Sequence, residues 1–218
     1  MNTFETLIFV PEGTLLNEKL AIKNALRKTL KYFDRSFGSS ESIKYTKLSE
    51  SFKLLDRKEQ INLLLQNFFY DELNEAERVF NQDLQKQHRL IKDSAEFLNK
   101  IQDKFTLVCV GKESKSQLLP RLNDSGIVDK FNALFFADDF DKILPDKSIF
   151  INVVKDLGVD PDNSLIIGST LSEEIQGAEN SGLKSLWLAP KKEKIPIVPH
   201  PTLHLSRLSD LAFYLNIE

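Results

Sequence analysis

The sequence is poor in the residues that cross-link small proteins or hold transition metals. Cysteine occurs once, at Cys109, so the chain cannot form an intramolecular disulfide. Cys109 lies in the apolar run 107–110, where a packed thiol is a better interpretation than a reactive one. The three histidines, His88, His200 and His204, are far apart and lack the spacing of zinc ligands. A disulfide scaffold, a thiol enzyme and a zinc protein are therefore disfavoured.

Strong charge of one sign and long apolar runs are also missing. The 29 basic and 32 acidic residues give a net charge of -3, which provides no excess positive field for a phosphate backbone. No apolar run approaches the ~20 residues that cross a bilayer, and the first residues lack the basic region of a signal peptide. We therefore expect no nucleic-acid partner, no membrane association and a cytoplasmic location.

The chain begins with a short strand and continues with a long helical block. Apolar residues recur at helical spacing over 18–33, and residues 40–90 contain neither glycine nor proline, which favours helix throughout. After this block, short β-branched runs alternate with amphipathic segments. The predicted strands are 7–10, 105–110, 133–136, 164–167 and 185–188, and the further helices are 94–101, 114–122, 146–157, 173–181 and 209–215.

This alternation predicts an α/β fold whose mainly parallel sheet is covered on both faces, with the helical block inserted after the first strand. Ligands of such sheets bind beyond the carboxyl ends of the strands. The corresponding segments here are 10–14, 110–113, 137–139 and 168–170. We expect the functional site to lie among them.

Motifs at these strand ends carry a family resemblance. The longest is the run 165–188, with Gly168, Gly177, Ala178, Gly182 and Trp187; the others are Asp124–Ile127 with Phe131, and Pro145–Asp146 with Ile149 and Phe150. In order and spacing the chain resembles the haloacid dehalogenase-like (HAD) hydrolases, of the beta-phosphoglucomutase and YjjG-like phosphatase type. The resemblance implies a Rossmann-like α/β core over 1–16 and 90–218 and an inserted α-helical cap over 17–89.

The resemblance also implies where the chemistry of that family would stand. The family uses an aspartate nucleophile, an aspartate acid and base, a hydroxyl residue and a lysine that hold the phosphoryl group, and acidic residues for magnesium. The matching positions here are Val10, Glu12, Gly111 with Lys112 beside it, Leu144, and Ser169 with Glu174. None retains the family's residue, so the motifs are degenerate and no catalytic set is intact.

These substitutions are mutually consistent. A buried lysine needs carboxylates beside it, and here both the lysine and the carboxylates of the family are replaced. Val10 and Leu144 would form an apolar floor, and a cleft over it would be lined by Gly13, Thr14, Lys112, Ser169 and Thr170. Two of the family's magnesium carboxylates are missing. We expect no cofactor and no metal.

Three of the charged residues have a structural interpretation beside a functional one. Glu12 is expected to be a polar loop residue rather than a general acid, because no nucleophile remains for it to assist. Glu174 is expected to be an acid at a helix N-terminus rather than an outlying metal ligand. Lys112 is either a solvated lysine, which we favour, or part of an anion site with neighbouring backbone N–H groups.

Three functions remain open. The favoured one is a HAD-like protein that has lost phosphatase activity, a pseudoenzyme that binds or regulates a small molecule or a protein partner. The second is a weak or altered phosphatase acting on a small phosphorylated metabolite. The third is a module that binds a neutral metabolite in the apolar cleft. The fold by itself cannot choose, because one fold hosts many functions.

Overall fold

A parallel β-sheet forms the centre of the computed structural model, which describes residues 4–217. Its order is β3-β2-β1-β4-β5-β6, and every pair of neighbours is parallel. This confirms the predicted α/β fold with a mainly parallel sheet. The strands are β1 Thr6–Phe9, β2 Thr106–Val110, β3 Ala133–Phe135, β4 Ser164–Gly168, β5 Lys184–Leu188 and β6 Leu203–Leu205.

Strand β1 lies inside the sheet and is apolar on both faces. Its side chains alternate, so Leu7 and Phe9 pack in one apolar cluster while Ile8 and Val10, the residue after the strand, pack in another. All four are fully buried. Helices cover both faces, as the continuous apolar runs in the strands require.

The helices fall into two groups along the chain. Between β1 and β2 lie α1 Glu18–Tyr32, α2 Ser39–Ser51, α3 Arg57–Phe68, α4 Leu73–Leu84 and α5 Ser94–Ile101. The later ones are α6 Lys115–Asp124, α7 Ser148–Leu157, α8 Gln176–Asn180 and α9 Leu211–Tyr214. Within residues 4–217, no helix is both long enough and apolar enough to span a membrane.

Helix α1 confirms the prediction for residues 18–33. The Asn17 side chain accepts the N–H of Leu20 at 3.2 Å and so caps the helix at its start. The buried face of α1 packs with apolar residues of α3 and α4 in a cluster separate from those of the sheet. Helices α1 to α4 thus have a core of their own, which occupies the region predicted to be the cap.

The prediction of continuous helix over 40–90 is wrong in detail. Residues 52–56 and 69–72 separate α2, α3 and α4. A break does not require glycine or proline here, because Asp56 adopts an extended conformation and its carboxylate accepts the N–H of Glu59 at 2.9 Å. This side-chain cap starts a new helix.

Three other helices begin at residues different from those predicted. The 173–181 helix is short, because a π-type turn over Leu171–Ile175 precedes α8. Asp146 stands before α7, since its carboxylate accepts the Ser148 N–H at 2.9 Å. The 209–215 helix starts with a 3-10 turn at Leu208–Asp210.

The strand order places a switch point at the centre of the sheet. From β1 the chain proceeds to β2 and β3 on one side, and to β4, β5 and β6 on the other. The loops after β1, β2 and β4 therefore meet at one edge, where open α/β sheets bind ligands.

Candidate functional site

The loop after β1 contains Val10, whose side chain is fully buried. The Val10 N–H donates to the carbonyl of Ile167 at 3.0 Å, and the Thr14 hydroxyl donates to the Val10 carbonyl. Gly13 has a φ of 90°, a left-handed conformation that favours glycine, and an added Cβ would collide with the Ser169 side chain. The loop is thus held tightly, and a hydrocarbon side chain occupies the position that the sequence aligned with the family's nucleophile.

Glu12 lies in the loop after β1, as predicted, but it is not solvated, because only 1% of it is exposed. Its Oε1 accepts the N–H of Lys112 at 2.9 Å, while its Oε2 is buried with no hydrogen-bond partner among the described residues. Burial, reinforced by the negative charge of Glu113, raises the pKa of Glu12 to about 7. Glu12 is therefore a buried carboxyl group that titrates near neutral pH.

Lys112 is likewise not the solvated lysine that was favoured. Its ammonium lies 2.8 Å from Glu173 Oε2 and 2.6 Å from Glu174 Oε1. Burial opposes its charge, but the carboxylates of Glu174 and Glu173 raise the pKa of Lys112 above its ordinary value. The ammonium is fixed between two acids, which leaves little of its charge for an external anion.

Glu174 is more than an acid at a helix start, which corrects the second sequence interpretation. It is fully buried, its Oε2 accepts the Thr170 N–H at 2.7 Å, and its Oε1 meets Lys112. The π-type turn aims Glu173 and Glu174 inward together, and both are buried. Burial raises the pKa of Glu174, although Lys112 opposes the shift.

A second group of charges joins the helical region before residue 89 to the rest of the chain. Arg57, at the start of α3, donates from Nε to Glu18 Oε1 at 2.8 Å and from Nη2 to both Glu18 and Glu113. Arg121, on α6, donates to Glu113 Oε2 at 2.8 Å and to Glu18 Oε2 at 2.7 Å. The backbone N–H of Arg57 also donates to Glu173 Oε1 at 3.1 Å. Side chains 8 to 103 positions apart along the chain thus form one connected network.

We call the whole set the ionic cluster. It comprises Glu12, Glu18, Arg57, Lys112, Glu113, Arg121, Glu173 and Glu174. The expectation that charge has left these strand ends holds only for the floor, where Val10 and Leu144 belong to one apolar cluster. Directly after the strands, carboxylates and cations pair with one another.

Sequence reasoning missed Glu18, Arg57, Glu113, Arg121 and Glu173 as members of the site. One signal was available on α6, where Arg121 lies beside Leu118 and Leu122, which form the buried face of that helix. A fully buried arginine must find carboxylates or carbonyls. The other members are ordinary charged residues until the fold brings them together.

The other site positions predicted from the sequence make different local contacts. Gly111 is buried and its N–H donates to the Phe135 carbonyl at 2.8 Å. A Cβ at this position would collide with Cδ2 of Leu118, so the hydroxyl residue of the family would fit only if the Leu118 side chain moved. The Ser169 hydroxyl donates to the Glu12 carbonyl at 3.3 Å. The Thr14 hydroxyl is engaged internally, and the cleft lined by residues 13, 14, 112, 169 and 170 stays a prediction.

The donor set does not suit magnesium. Within residues 4–217, no three His, Cys, Asp or Glu side chains are arranged to hold a metal ion. Magnesium requires near-octahedral oxygen donors, whereas Glu173 and Glu174 are bound to the Lys112 ammonium and Val10 offers hydrocarbon. The chemistry of these side chains argues against the metal of the family.

Comparison with known proteins identifies the protein family to which this fold belongs. The model of the family "Haloacid dehalogenase-like hydrolase" matches residues 7–188. The chain belongs to this family.

Individual relatives agree with this assignment. The chain is 27% identical to the HAD-hydrolase YfnB of Bacillus subtilis (strain 168) over an alignment 234 positions long, which covers 100% of this chain and 98% of that protein. It is 32% identical over 93 residues to the pyrimidine 5'-nucleotidase YjjG of Escherichia coli (strain K12), which cover 42% of this chain and 41% of that protein.

Solved structures agree in fold. A crystal structure of YfnB bound to magnesium matches with a TM-score of 0.87 at 25% identity, over 99% of this chain and 100% of that one. A beta-phosphoglucomutase from Thermotoga maritima matches with a TM-score of 0.79 at 15% identity, over 98% and 99%. The second likeness concerns the fold alone.

Proposed function

We propose that this HAD-family protein does not hydrolyse phosphate esters through an aspartyl intermediate and serves as a binding or regulatory protein. The observation that carries the proposal is Val10. Its side chain is fully buried at the carboxyl end of β1 and belongs to an apolar cluster with Leu144. An isopropyl group cannot attack phosphorus, so the covalent route of the family has no first step.

The cations near this strand end are already neutralised. Lys112 is paired with Glu173 and Glu174, and Arg57 is paired with Glu18 and Glu113. A phosphoryl dianion entering the cleft would compete with these buried carboxylates and meet repulsion from Glu12 when it is ionised. The electrostatics therefore disfavour the substrate class of the family.

One relative provides a precedent for movement of the cap. YfnB has been crystallised bound to magnesium, and its structure is described as revealing interdomain movement. We propose that this chain keeps the capacity for such movement, because a cluster of ion pairs rather than an apolar interface connects Arg57 and Glu18 to Glu113 and Arg121. Movement of the cap would then serve binding instead of turnover.

One observation favours a second candidate, a weak or altered phosphatase. The Glu12 carboxyl has a pKa of about 7 and an unpartnered Oε2, and such perturbed groups in clefts are candidates for acid–base catalysis. In that case Glu12 would activate water directly. The route lacks the metal and the free cations that stabilise a phosphoryl transfer state.

Turnover assays separate the two candidates. We expect only background release of phosphate from sugar, acyl and pyrimidine nucleoside phosphates, because loss of a nucleophile costs roughly 10⁴–10⁶-fold in rate. Wild-type protein and Glu12→Gln should be indistinguishable. Hydrolysis with a pH profile that turns near 7 and disappears in Glu12→Gln would overturn the proposal in favour of the phosphatase.

A further inference from the structure

The ionic cluster has an imbalance of charge. Five carboxylates face three cationic groups, so two negative charges lack a partner when every carboxylate is ionised. The cluster is buried: the side chains of Arg121 and Glu174 are 0% exposed, and that of Arg57 is 14% exposed. Uncompensated charge is costly in such surroundings, and a carboxyl group there takes up a proton instead.

Glu12 is the acid of the ionic cluster that has no cationic side chain in contact with it. The other four acids each contact an arginine or lysine side chain within 2.8 Å, whereas Glu12 has only the backbone N–H of Lys112 on Oε1. Its Oε2 is buried without a partner among the described residues. A proton on this oxygen would turn an unsatisfied acceptor into a donor and would remove the repulsion between Glu12 and the carboxylate of Glu113.

Four charged groups act on Glu12 directly: Glu113, Arg57, Lys112 and Glu18. Glu18 lies on α1, Arg57 on α3, and Lys112 and Glu113 after β2, while Arg121 on α6 and Glu173 and Glu174 after β4 pair with these groups. Two of them, Glu18 and Arg57, belong to the helical region 17–89, the cap. The carboxyl group therefore lies where the cap meets the rest of the chain.

We propose that closure of the cap is coupled to protonation of Glu12, so that the closed form holds Glu12 as a neutral carboxylic acid and ionised Glu12 favours opening. The proton comes from solvent and returns to it, and no covalent bond between residues changes. This inference rests on the proposed function, since it describes how a binding site without turnover would be controlled.

The sign follows from burial. In an open form Glu12 meets water and has its ordinary pKa of 4.5, while burial raises its pKa to about 7 in the closed form. Between these values the closed form binds more protons, so rising pH lowers the ratio of closed to open forms by up to about tenfold per pH unit.

The other titrating acids limit the window. Burial opposes ionisation of Glu18, yet Arg57 and Arg121 hold its pKa at about 2, so its contribution to closure is present above pH 4.5 and is lost on acidification below that value. Glu174, whose pKa burial raises, acts in the same direction as Glu12 but is paired with Lys112. We therefore expect the strongest closure near the lower end of the range from pH 4.5 to 7.

Energy transfer between two dyes tests the coupling in the whole chain. Leu54→Cys, in the cap loop between α2 and α3, and Ile143→Cys, after β3, replace side chains that are 75% and 65% exposed. Cys109 is fully buried and burial raises its pKa, so it should not react with the dyes. We expect the transfer efficiency to change as pH rises through this window and to reverse on return.

Glu12→Gln is the decisive variant, because its amide retains the shape, accepts from Lys112 and is neutral at every pH. It should give the closed-state efficiency throughout the window. Glu75→Gln, which removes an exposed carboxylate paired with Arg78, is the matched control and should titrate as the parent does. Carbon-13 spectra of the glutamate carboxyl groups in the parent protein give a second measurement, in which one group should titrate near 7.

Two results would overturn the inference. One is a parent protein whose transfer efficiency is constant over the window, and the other is a Glu12→Gln protein that retains the full titration. If Glu12→Gln does not fold, the parent titration and the carboxyl spectra still decide. Phosphate release measured on the same samples tests the proposed function separately, since a pH-invariant cap without turnover refutes only the coupling.

Discussion

At the scale of single residues, the site combines an apolar floor with buried charge just above it. Val10 and Leu144 pack with apolar neighbours, while Glu12, two positions after Val10, is buried among charges. The two environments differ in what they tolerate. On the floor, a new charge would have no counterion among the apolar residues of the cluster that surrounds it.

Val10→Asp tests the floor. We expect the free energy of unfolding to fall by about 3–5 kcal/mol, the range typical of an uncompensated buried charge. The pKa of the new carboxyl group would be raised, so the loss should grow as pH rises above about 3.9 and should shrink in acid. Urea denaturation at several pH values measures both effects.

Val10→Thr is the matched control, because threonine has the shape of valine and a hydroxyl without charge. Its cost should be about 1–3 kcal/mol and independent of pH. A Val10→Asp protein as stable as the parent would mean that the ionic cluster reaches this position with a free cation. The placement of Val10 in an apolar floor would then be wrong.

At the scale of elements, the turn after β4 and the start of α3 support each other. Glu173 accepts the backbone N–H of Arg57 at 3.1 Å, at the N-terminus of α3 where negative charge is favourable. The Arg57 side chain meanwhile binds Glu18 on α1 and Glu113 after β2. One residue thus connects two cap helices with two loops at the edge of the sheet.

Arg57→Met tests this connection. Methionine keeps much of the volume but leaves Glu18 and Glu113 to share Arg121, so we expect a loss of about 3–5 kcal/mol in the free energy of unfolding. Lys58→Met removes the same charge from an exposed neighbour and should change stability by less than about 0.5 kcal/mol. Equal losses of unfolding free energy in the two variants would show that the ion pairs of the cluster do not contribute to stability beyond the effect of net charge.

At the scale of the whole molecule, the fold is one that binds magnesium in the relative YfnB, whereas the side chains at the strand ends of this chain do not suit the metal. We expect thermal melting to be the same in magnesium chloride and in sodium chloride of equal ionic strength, because an ion that does not bind the native state cannot stabilise it. Isothermal calorimetry should show no saturable heat. A melting midpoint that rises saturably with magnesium alone would contradict the conclusion that these donors do not suit the ion.

Much of the architecture could be predicted from sequence because local patterns determine it. The apolar β-branched runs around 107–110 and 164–167 predicted buried strands, and the helical period over 18–33 predicted α1. The breaks at 52–56 and 69–72 could not be predicted from composition. Side-chain caps such as Asp56 determine them, and the same residue types occur within helices.

The sequence by itself determined the family, the parallel sheet and the apolar residues Val10 and Leu144, because each depends on which residue stands at a position. Only the tertiary structure decided the state of Glu12, Lys112 and Glu174, which the sequence presented as separate polar residues. Burial and pairing depend on groups as distant as Arg57 and Arg121, and no local pattern encodes those encounters. The pairing of charges at this site is therefore decided by the fold, whereas the residue at each motif position is decided by the sequence.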